Sequence, residues 1–257
     1  MPPRIDAHAD WRRIDFISDL HLSADTPRTF EAWAGYMRET PADAVFILGD
    51  LFEVWVGDDS RFEGFEAHCA QVLREASTQR YVAFMAGNRD FLVGPDMLRA
   101  CGVELLSDPS LLVAFGQRVL LTHGDELCLA DTEYQTFRAM VRSDTWQSRF
   151  LAQPLDGRRG YARLVRQQSE ANKKRQPSLQ DWADVDFPAA ITWLQAAQAP
   201  SMVHGHTHRP ATQALDGTHQ RHVLSDWELD HVPHRAEVMC LSATGFDRLS
   251  LADAVKR

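Results

Sequence analysis

The chain has 257 residues, 44% of them hydrophobic and 25% charged, which is the composition of a globular protein with a full core. No run approaches the roughly 18 apolar residues of a membrane span, and the N-terminus has no apolar segment of the secretory type. We therefore expect a cytoplasmic protein. Four widely spaced cysteines without a CxxC pair argue against thiolate zinc sites and a disulfide framework. The net charge of −9 argues against a nucleic-acid partner.

Short apolar runs that end in polar or turn residues predict buried strands in the first half of the chain, at residues 14–17, 44–48, 81–85 and 119–121. Helical spacing at residues 29–38 and 62–76 separates these runs, so the predicted class is α/β. Residues 111–115 and the run from Val119 flank a short turn and predict a hairpin. The sheet is therefore expected to be mixed.

The second half of the chain begins with a segment, residues 138–198, that has no strand-like run and predicts helices. We expect these helices to break near Pro154, Gly157, Gly160 and Pro177. Strands are predicted again at residues 222–224, 237–241 and 248–251. With no linker composition in view, we expect a single domain of residues 1–257 that carries a helical insertion, or cap, at residues 132–198.

Polar residues of the kinds that bind metals follow nearly every predicted strand. They lie in the steps Asp19-Leu20-His21, Gly49-Asp50, Gly87-Asn88-Arg89, His123-Gly124-Asp125 and His204-Gly205-His206-Thr207-His208. The carboxyl ends of strands in an open α/β sheet form the ligand crevice, so these groups should converge. The adjacent glycines let the backbone turn sharply and bring side chains close to a bound ion.

The chemistry of these residues limits which metal ions they could bind. Two Asp, one Asn and four His without a thiolate form a mixed nitrogen and oxygen set that suits Mn, Fe, Co or Zn, whereas calcium prefers oxygen ligands throughout. Seven ligands are too many for one tetrahedral centre. They suit two metals that share a bridging carboxylate.

The ordered set resembles the calcineurin-like metallophosphoesterases, whose fold is a double β-sheet sandwich flanked by helices. The longer motifs SDLHL, ILGDLFEVWVGDD, GNRDFLVG, THGDELC and HGHTHRP resemble the UDP-2,3-diacylglucosamine diphosphatase branch of lipid A biosynthesis. The resemblance implies two divalent ions, with Mn²⁺ favoured. It assigns one ion to Asp19, His21, Asp50 and His208, and the other to Asp50, Asn88, His123 and His206, with Asp50 as the bridge.

Arg89 stands where this superfamily often has a histidine that serves as a candidate general acid. Guanidinium is a poor proton donor, but it can hold phosphate oxygens through two parallel hydrogen bonds. Such a residue fits a leaving group that is already a stable anion, so a pyrophosphate is favoured over an alkyl phosphodiester. The resemblance implies hydrolysis of UDP-2,3-diacylglucosamine by water attack at the α-phosphorus. Asp50, Asn88, Arg89 and His206 would then be the catalytic residues.

Two alternatives stay open at this point. The first is a pyrophosphatase of the same fold that acts on a soluble nucleotide or dinucleotide. The second is a non-catalytic metallophosphoesterase scaffold that binds protein. Such a scaffold would be expected to have lost metal ligands, whereas the ligand set here is intact.

The insertion concentrates positive charge, because residues 138–175 contain ten Lys or Arg against three Asp or Glu, a local charge of +7. Apolar residues are interspersed among these charges. A basic helix with an apolar face can lie on an anionic membrane or bind an anionic amphiphile, which predicts peripheral association with the cytoplasmic face of the inner membrane. The alternative is a solvated helical hairpin with a stripe that faces the core.

The resemblance also implies substrate contacts, at Asn88, Arg89, Asp131, Asn172, Arg175 and His206. Arg175 replaces a family lysine, and a family serine corresponds to Gln168, with Ser169 one residue later. His204 falls outside the ligand pattern and is expected to be a buried or supporting group. Four acidic residues are expected to orient ligands or loops, namely Asp58, Asp59, Asp90 and Asp125.

Overall fold

A computed structural model describes residues 1–175 and 184–256, with the side chains of residues 167–175 outside the description. Its strands form two six-stranded sheets. Sheet A contains, in spatial order, β1 (Arg4–Asp6), β6 (Ser110–Ala114), β7 (Gln117–Leu121), β8 (Ser201–His204), β10 (Gln220–Val223) and β9 (Ala211–Ala214). Sheet B contains, in spatial order, β12 (Gly245–Ser250), β11 (Glu237–Ser242), β2 (Arg13–Ile17), β3 (Ala44–Leu48), β4 (Tyr81–Met85) and β5 (Glu104–Leu106).

Helices flank the sheets. They are α1 (Pro27–Glu39), α2 (Gly64–Ser77), α3 (Pro95–Cys101), α4 (Thr132–Val141), α5 (Asp144–Leu151), α6 (Leu155–Arg175), α7 (Phe187–Ala197) and α8 (Leu251–Ala254). We call α4, α5 and α6 the helical cap. Among residues 1–175 and 184–256, each helix is too short or too polar to cross a bilayer.

Alternation along the strands builds a four-layer core. Phe16 and Phe46 of sheet B point inward and pack with Leu112 and Val203 of sheet A. Their neighbours point outward, so that Ile17 and Ile47 are buried beneath α1 and α2. The outer face of sheet A is covered by α7, where Leu194 packs on Leu120 and Met202. The protein is thus a sandwich of two sheets between two helical layers, and the predicted fold class is confirmed.

Parallel pairing brings the functional loops to one edge of each sheet. In sheet B, β3 pairs in parallel with β2 and β4, and in sheet A β7 pairs in parallel with β8. The carboxyl ends of these five strands lead directly into the five polar steps identified in the sequence. The register therefore gathers the ligand-type residues where the two sheets meet.

The predicted strands are confirmed, as are the hairpin and the four free, buried cysteines. Two expected helix breaks were wrong, because α6 runs through both Gly157 and Gly160. Each glycine costs a helix about 1 kcal/mol relative to alanine. Tertiary contacts offset that cost, since Arg158, which lies between the glycines, is buried and ion-paired with Asp59. The break expected near Pro177 lies outside the described residues.

Candidate metal centre

The backbone at the site is unusual. Seven non-glycine residues of the described chain have positive φ, and five of them are predicted metal ligands: Asp19, His21, Asp50, His206 and His208, with φ between 49° and 66°. Left-handed backbone costs a residue with a β-carbon roughly 1 kcal/mol or more, and it persists where the surrounding fold enforces it. The fold therefore holds these side chains in a fixed, convergent arrangement.

Glycines permit the close approach of the loops. A β-carbon on Gly87 would collide with the carboxylate of Asp50, and one on Gly205 would collide with that of Asp19. The glycines next to the ligands thus leave room for two strand ends to meet, as the sequence predicted.

Asp19, His21 and His208 form the first cluster of possible ligands. The Nε2 atoms of the two histidines are 3.3 Å apart, and the Nε2 of His208 is 3.3 Å from Oδ1 of Asp19. His21 directs its other nitrogen, Nδ1, to a carboxylate of Glu53 at 3.2 Å. This contact places the proton of a neutral His21 on Nδ1 and leaves a lone pair on Nε2. Lone pairs on His21, His208 and Asp19 can therefore face one another within this cluster.

His123 lies in a second cluster with Asp19 and Asp50. Its Nδ1 is 2.9 Å from the carbonyl oxygen of Leu48, which can only accept a hydrogen bond. The Nε2 of a neutral His123 therefore carries a lone pair, yet it lies 3.0 Å from the Asn88 Oδ1 and 3.7 Å from an Asp50 oxygen. In the neutral form of His123 these acceptor atoms face one another, an arrangement that a cation between them would satisfy, so the side chains fit a metal ion.

Asp19 belongs to both clusters, and Asp50 of the second cluster also faces His21 of the first. Its Oδ2 is 3.9 Å from Nε2 of His21, whereas its Oδ1 is 3.7 Å from Nε2 of His123. The Oδ1 also accepts a hydrogen bond of 2.8 Å from the backbone N–H of Arg89. One carboxylate thus faces both groups of imidazoles.

Asn88 joins His206 to the second cluster, because its Oδ1 is 2.9 Å from Nδ1 of His206. The supporting carboxylate of Asp90 is fully buried and accepts hydrogen bonds from the backbone N–H groups of Gly87, Asp50, Leu51 and Phe52. Burial, together with the charge of Asp50, raises the pKa of Asp90 to about 7. Asp90 therefore ties the loop after β3 to the loop after β4.

Charge in the centre is arranged to hold cations. Burial would raise the pKa of Asp19, but His208, with help from His123 and His21, holds it well below its usual range. Burial opposes protonation of His123, yet Asp50 and Asp19 raise its pKa to about 9. Burial and then the neighbouring His123 lower the pKa of His206 to about 3. An ionised Asp19 and a neutral His206 are the forms that bind divalent metals.

Comparison with known proteins agrees with this geometry. The calcineurin-like phosphoesterase family model matches residues 12–210. Curated relatives named UDP-2,3-diacylglucosamine hydrolase include one from Chromobacterium violaceum, 46% identical over 83% of this chain and 90% of its own. Another, from Ralstonia nicotianae, is 41% identical over 88% of both chains, and a third, from Bordetella parapertussis, is 39% identical over 92% of this chain and 94% of its own.

The chain belongs to the UDP-2,3-diacylglucosamine hydrolase family of calcineurin-like phosphoesterases. The family explains the order of the ligand steps along the chain, since the matched segment contains all seven predicted ligands.

The other predicted site residues have different positions. Arg89 lies beside the centre, with its side chain about a quarter exposed and one guanidinium nitrogen 3.6 Å from Glu53. Asp131 is the N-cap of α4, where it accepts a hydrogen bond of 2.9 Å from the backbone N–H of Tyr134. Asn172 and Arg175 lie on α6, as do Gln168 and Ser169, and the side chains of these four residues are outside the described part of the chain. His204 is buried, and its Nδ1 donates a hydrogen bond of 2.9 Å to the carbonyl of the adjacent Gly205.

Three residues of this hydrolase lie at the site but were not predicted from its sequence. Tyr134 of α4 stacks on the ring of His206 at 5.9 Å and donates a hydrogen bond to Asp125. Arg142 donates a hydrogen bond of 2.9 Å to the Gly87 carbonyl. Glu53 contacts both His21 and Arg89. The one local signal was Glu53, a charged residue inside the apolar run that follows Asp50.

The acidic supports were correctly predicted to orient loops. Asp58 accepts hydrogen bonds from the backbone N–H groups of Gly94 and Met97, and Asp125 forms an ion pair of 2.9 Å with Arg138. Asp59 is the partner of Arg158. These contacts fasten the helical cap to the loops around the metal centre.

Proposed function

We propose that the chain hydrolyses the pyrophosphate of UDP-2,3-diacylglucosamine by water attack at the α-phosphorus, giving UMP and 2,3-diacylglucosamine 1-phosphate (lipid X) in lipid A biosynthesis. The observation that carries the proposal is the convergence of an intact ligand set with an adjacent arginine in place of a proton donor. The names of the relatives support the substrate.

The centre would hold two divalent ions, with Mn²⁺ proposed as the metal. Asp19, His21 and His208 would bind one ion, Asn88, His123 and His206 would bind the other, and Asp50 would bind both. When bound, such a pair activates a water molecule and neutralises charge on phosphate oxygens.

The protein's own groups would then orient the substrate. Arg89 would hold phosphoryl oxygens in the charge-assisted geometry that guanidinium favours. Asn88 and His206, fixed against one another at 2.9 Å, would steady the charge that grows on the α-phosphate. The departing sugar phosphate is a stable anion, so no side chain has to protonate it. We also propose that Asp131, Asn172 and Arg175 contact the head group. The domain would be a single one of residues 1–257 with an insertion at residues 132–198, in which α4–α6 form the cap and α7 packs on sheet A.

The substrate assignment predicts that UMP is released from the diacylated substrate at least about a hundredfold faster, in kcat/KM, than from UDP-glucose, because only the former has acyl chains to bury. Phosphorus NMR or a coupled UMP assay measures this ratio, with a dinucleotide polyphosphate as the third substrate. Faster cleavage of the dinucleotide would favour the soluble-nucleotide alternative. No hydrolysis of any of the three in the presence of Mn²⁺ would favour the non-catalytic scaffold.

We further propose that the hydrolase associates peripherally with the cytoplasmic face of the inner membrane through the helical cap. Exposed apolar side chains support this placement, at Met140, Leu151, Tyr161 and Leu164. Exposed Arg149 and Arg163 lie on the same helices. Five other cap arginines form ion pairs with the core loops, namely Arg138, Arg142, Arg158, Arg159 and Arg166. The charge available to an anionic bilayer is therefore smaller than the sequence count of +7.

Replacing both Leu151 and Leu164 with glutamine should weaken binding to vesicles that contain anionic lipid by about tenfold or more. The reason is that full insertion of a leucine side chain stabilises the bound state by roughly 1.5–3 kcal/mol. Sedimentation of the protein with vesicles measures the effect. Leu105→Gln, at an exposed leucine in β5 outside the cap, is the matched control and should bind normally. Phe150 is unsuitable for this test because it packs into the core. Unchanged binding of the double variant would refute the membrane proposal.

A further inference from the structure

Glu53 connects three parts of the molecule that are distant in sequence. Its carboxylate is largely buried and lies 3.2 Å from Nδ1 of His21, 3.6 Å from Arg89 and 3.5 Å from Nε of Arg166 on α6. One carboxylate therefore joins a predicted metal ligand, the predicted phosphate-binding arginine and the helical cap.

The backbone of Glu53 is fixed as well. Its N–H donates a hydrogen bond of 3.1 Å to the carbonyl of Leu22, the residue after His21, and Phe52 pairs with Leu22 in an isolated parallel bridge. Since both the backbone and the side chain of Glu53 reach the His21 loop, a displacement of one should displace the other.

The contact with His21 determines which ring nitrogen faces the centre. A carboxylate 3.2 Å from Nδ1 favours the proton there, and Nε2 then carries the lone pair that points toward His208 and Asp50. Carboxylates that orient a ligand histidine in this way raise its basicity and its affinity for metal.

The contact with Arg166 adds the cap. The two carboxylate oxygens of Glu53 have different partners. Oε2 lies near His21, while Oε1 lies near both Arg89 and Arg166. Any movement of α6 that takes Arg166 away changes the field and the orientation of the same carboxylate. Affinities coupled through a shared group are reciprocal, so metal binding should also affect the docking of α6.

We infer that Glu53 is a positioning residue that couples the docking of cap helix α6 to the ligand geometry of His21 and to the placement of Arg89. The inference rests on the proposed two-metal function. It adds that the docking of α6 and the binding of metal affect each other through Glu53. It assigns no direct contact between Glu53 and the reacting atoms.

The test compares Glu53→Gln and Glu53→Ala with Glu63→Gln. Glu63 is the matched control because it is also a glutamate paired with an α6 arginine, Arg159 at 3.4 Å, but it is exposed and touches no ligand. Titration calorimetry with Mn²⁺ alone should show affinity at the site that contains His21 falling about 10- to 100-fold in Glu53→Ala. The fall should be smaller in Glu53→Gln, whose side-chain oxygen can still accept a hydrogen bond from His21. Glu63→Gln should stay within about twofold of the wild type.

Hydrogen exchange of residues 155–166 measures the coupling. Mn²⁺ should slow exchange in this segment in the wild type and in Glu63→Gln, and the slowing should be lost in Glu53→Ala. Circular dichroism establishes that each variant is folded, and the isosteric Glu53→Gln serves if the alanine variant is not. Wild-type Mn²⁺ affinity in Glu53→Ala, or slowing by Mn²⁺ that persists in that variant, would overturn the inference. Failure of the wild type itself to bind Mn²⁺ or to release UMP would instead overturn the proposed function.

Discussion

Replacing Asp50 with alanine should remove bound metal from both sites and lower kcat by at least about a thousandfold, or about 4 kcal/mol. The reason is that one carboxylate faces both sets of ligands, with Oδ2 near His21 and Oδ1 near His123. Metal content of the purified variant, measured by mass spectrometry beside turnover of the diacylated substrate, checks the result.

His21→Ala is the comparison for Asp50→Ala. His21 belongs to one cluster alone, so its loss should deplete mainly one of the two ions. The difference between the variants therefore isolates the bridging role from a general loss of ligands. If Asp50→Ala retained two metals per chain and near-normal turnover, the bridging assignment would be wrong.

Arg89→Ala should lower kcat/KM by about 10²–10³, or about 3–4 kcal/mol, while metal content is unchanged. The substitution removes a charged group that would hold phosphate oxygens, but it keeps the backbone N–H that donates to Asp50 at 2.8 Å. Metal analysis and steady-state kinetics on the same preparations separate the two effects. Loss of metal together with activity would show that Arg89 acts on the centre rather than on the substrate.

Arg89→His examines the leaving group. A histidine could donate a proton, but the proposed sugar-phosphate product needs none, so this variant should stay nearly as slow as Arg89→Ala. Arg89→Lys should recover part of the activity because it restores a charge without the paired hydrogen bonds. Full rescue by histidine, with a new pH dependence of kcat, would support general-acid chemistry and weaken the argument for a pyrophosphate.

The sequence predicted the strands of the sandwich core well, because each is a run of five or so apolar residues that ends at a polar step. The short strands β1, β5 and β9 were not predicted. They lie toward the sheet edges and have mostly exposed or half-buried residues, so no apolar run marks them. The local sequence pattern also predicted helix breaks at the two glycines of α6 that do not occur. Contacts of Arg158 with distant loops maintain the helix there.

The candidate metal centre also contains residues that the sequence predicted and residues that it did not. Its predicted ligands follow strand ends, and the backbone register then brings them together. Tyr134 and Arg142 were missed because they reach the site from a cap helix, and nothing in the sequence around them records how that helix docks. Glu53 is five residues from the nearest part of β3, yet its importance comes from partners at positions 21, 89 and 166.

The division of the ligands between the two sheets bears on how the protein matures. Asp19, His21, Asp50 and Asn88 follow strands of sheet B, whereas His123, His206 and His208 follow strands of sheet A. The strand that precedes Asp19 and His21, β2, is itself paired with β11, which ends at Ser242. A nascent chain therefore cannot bring all the predicted ligands together before His208 has been synthesised, and β2 has its partner β11 only later still, so the site would form after both sheets.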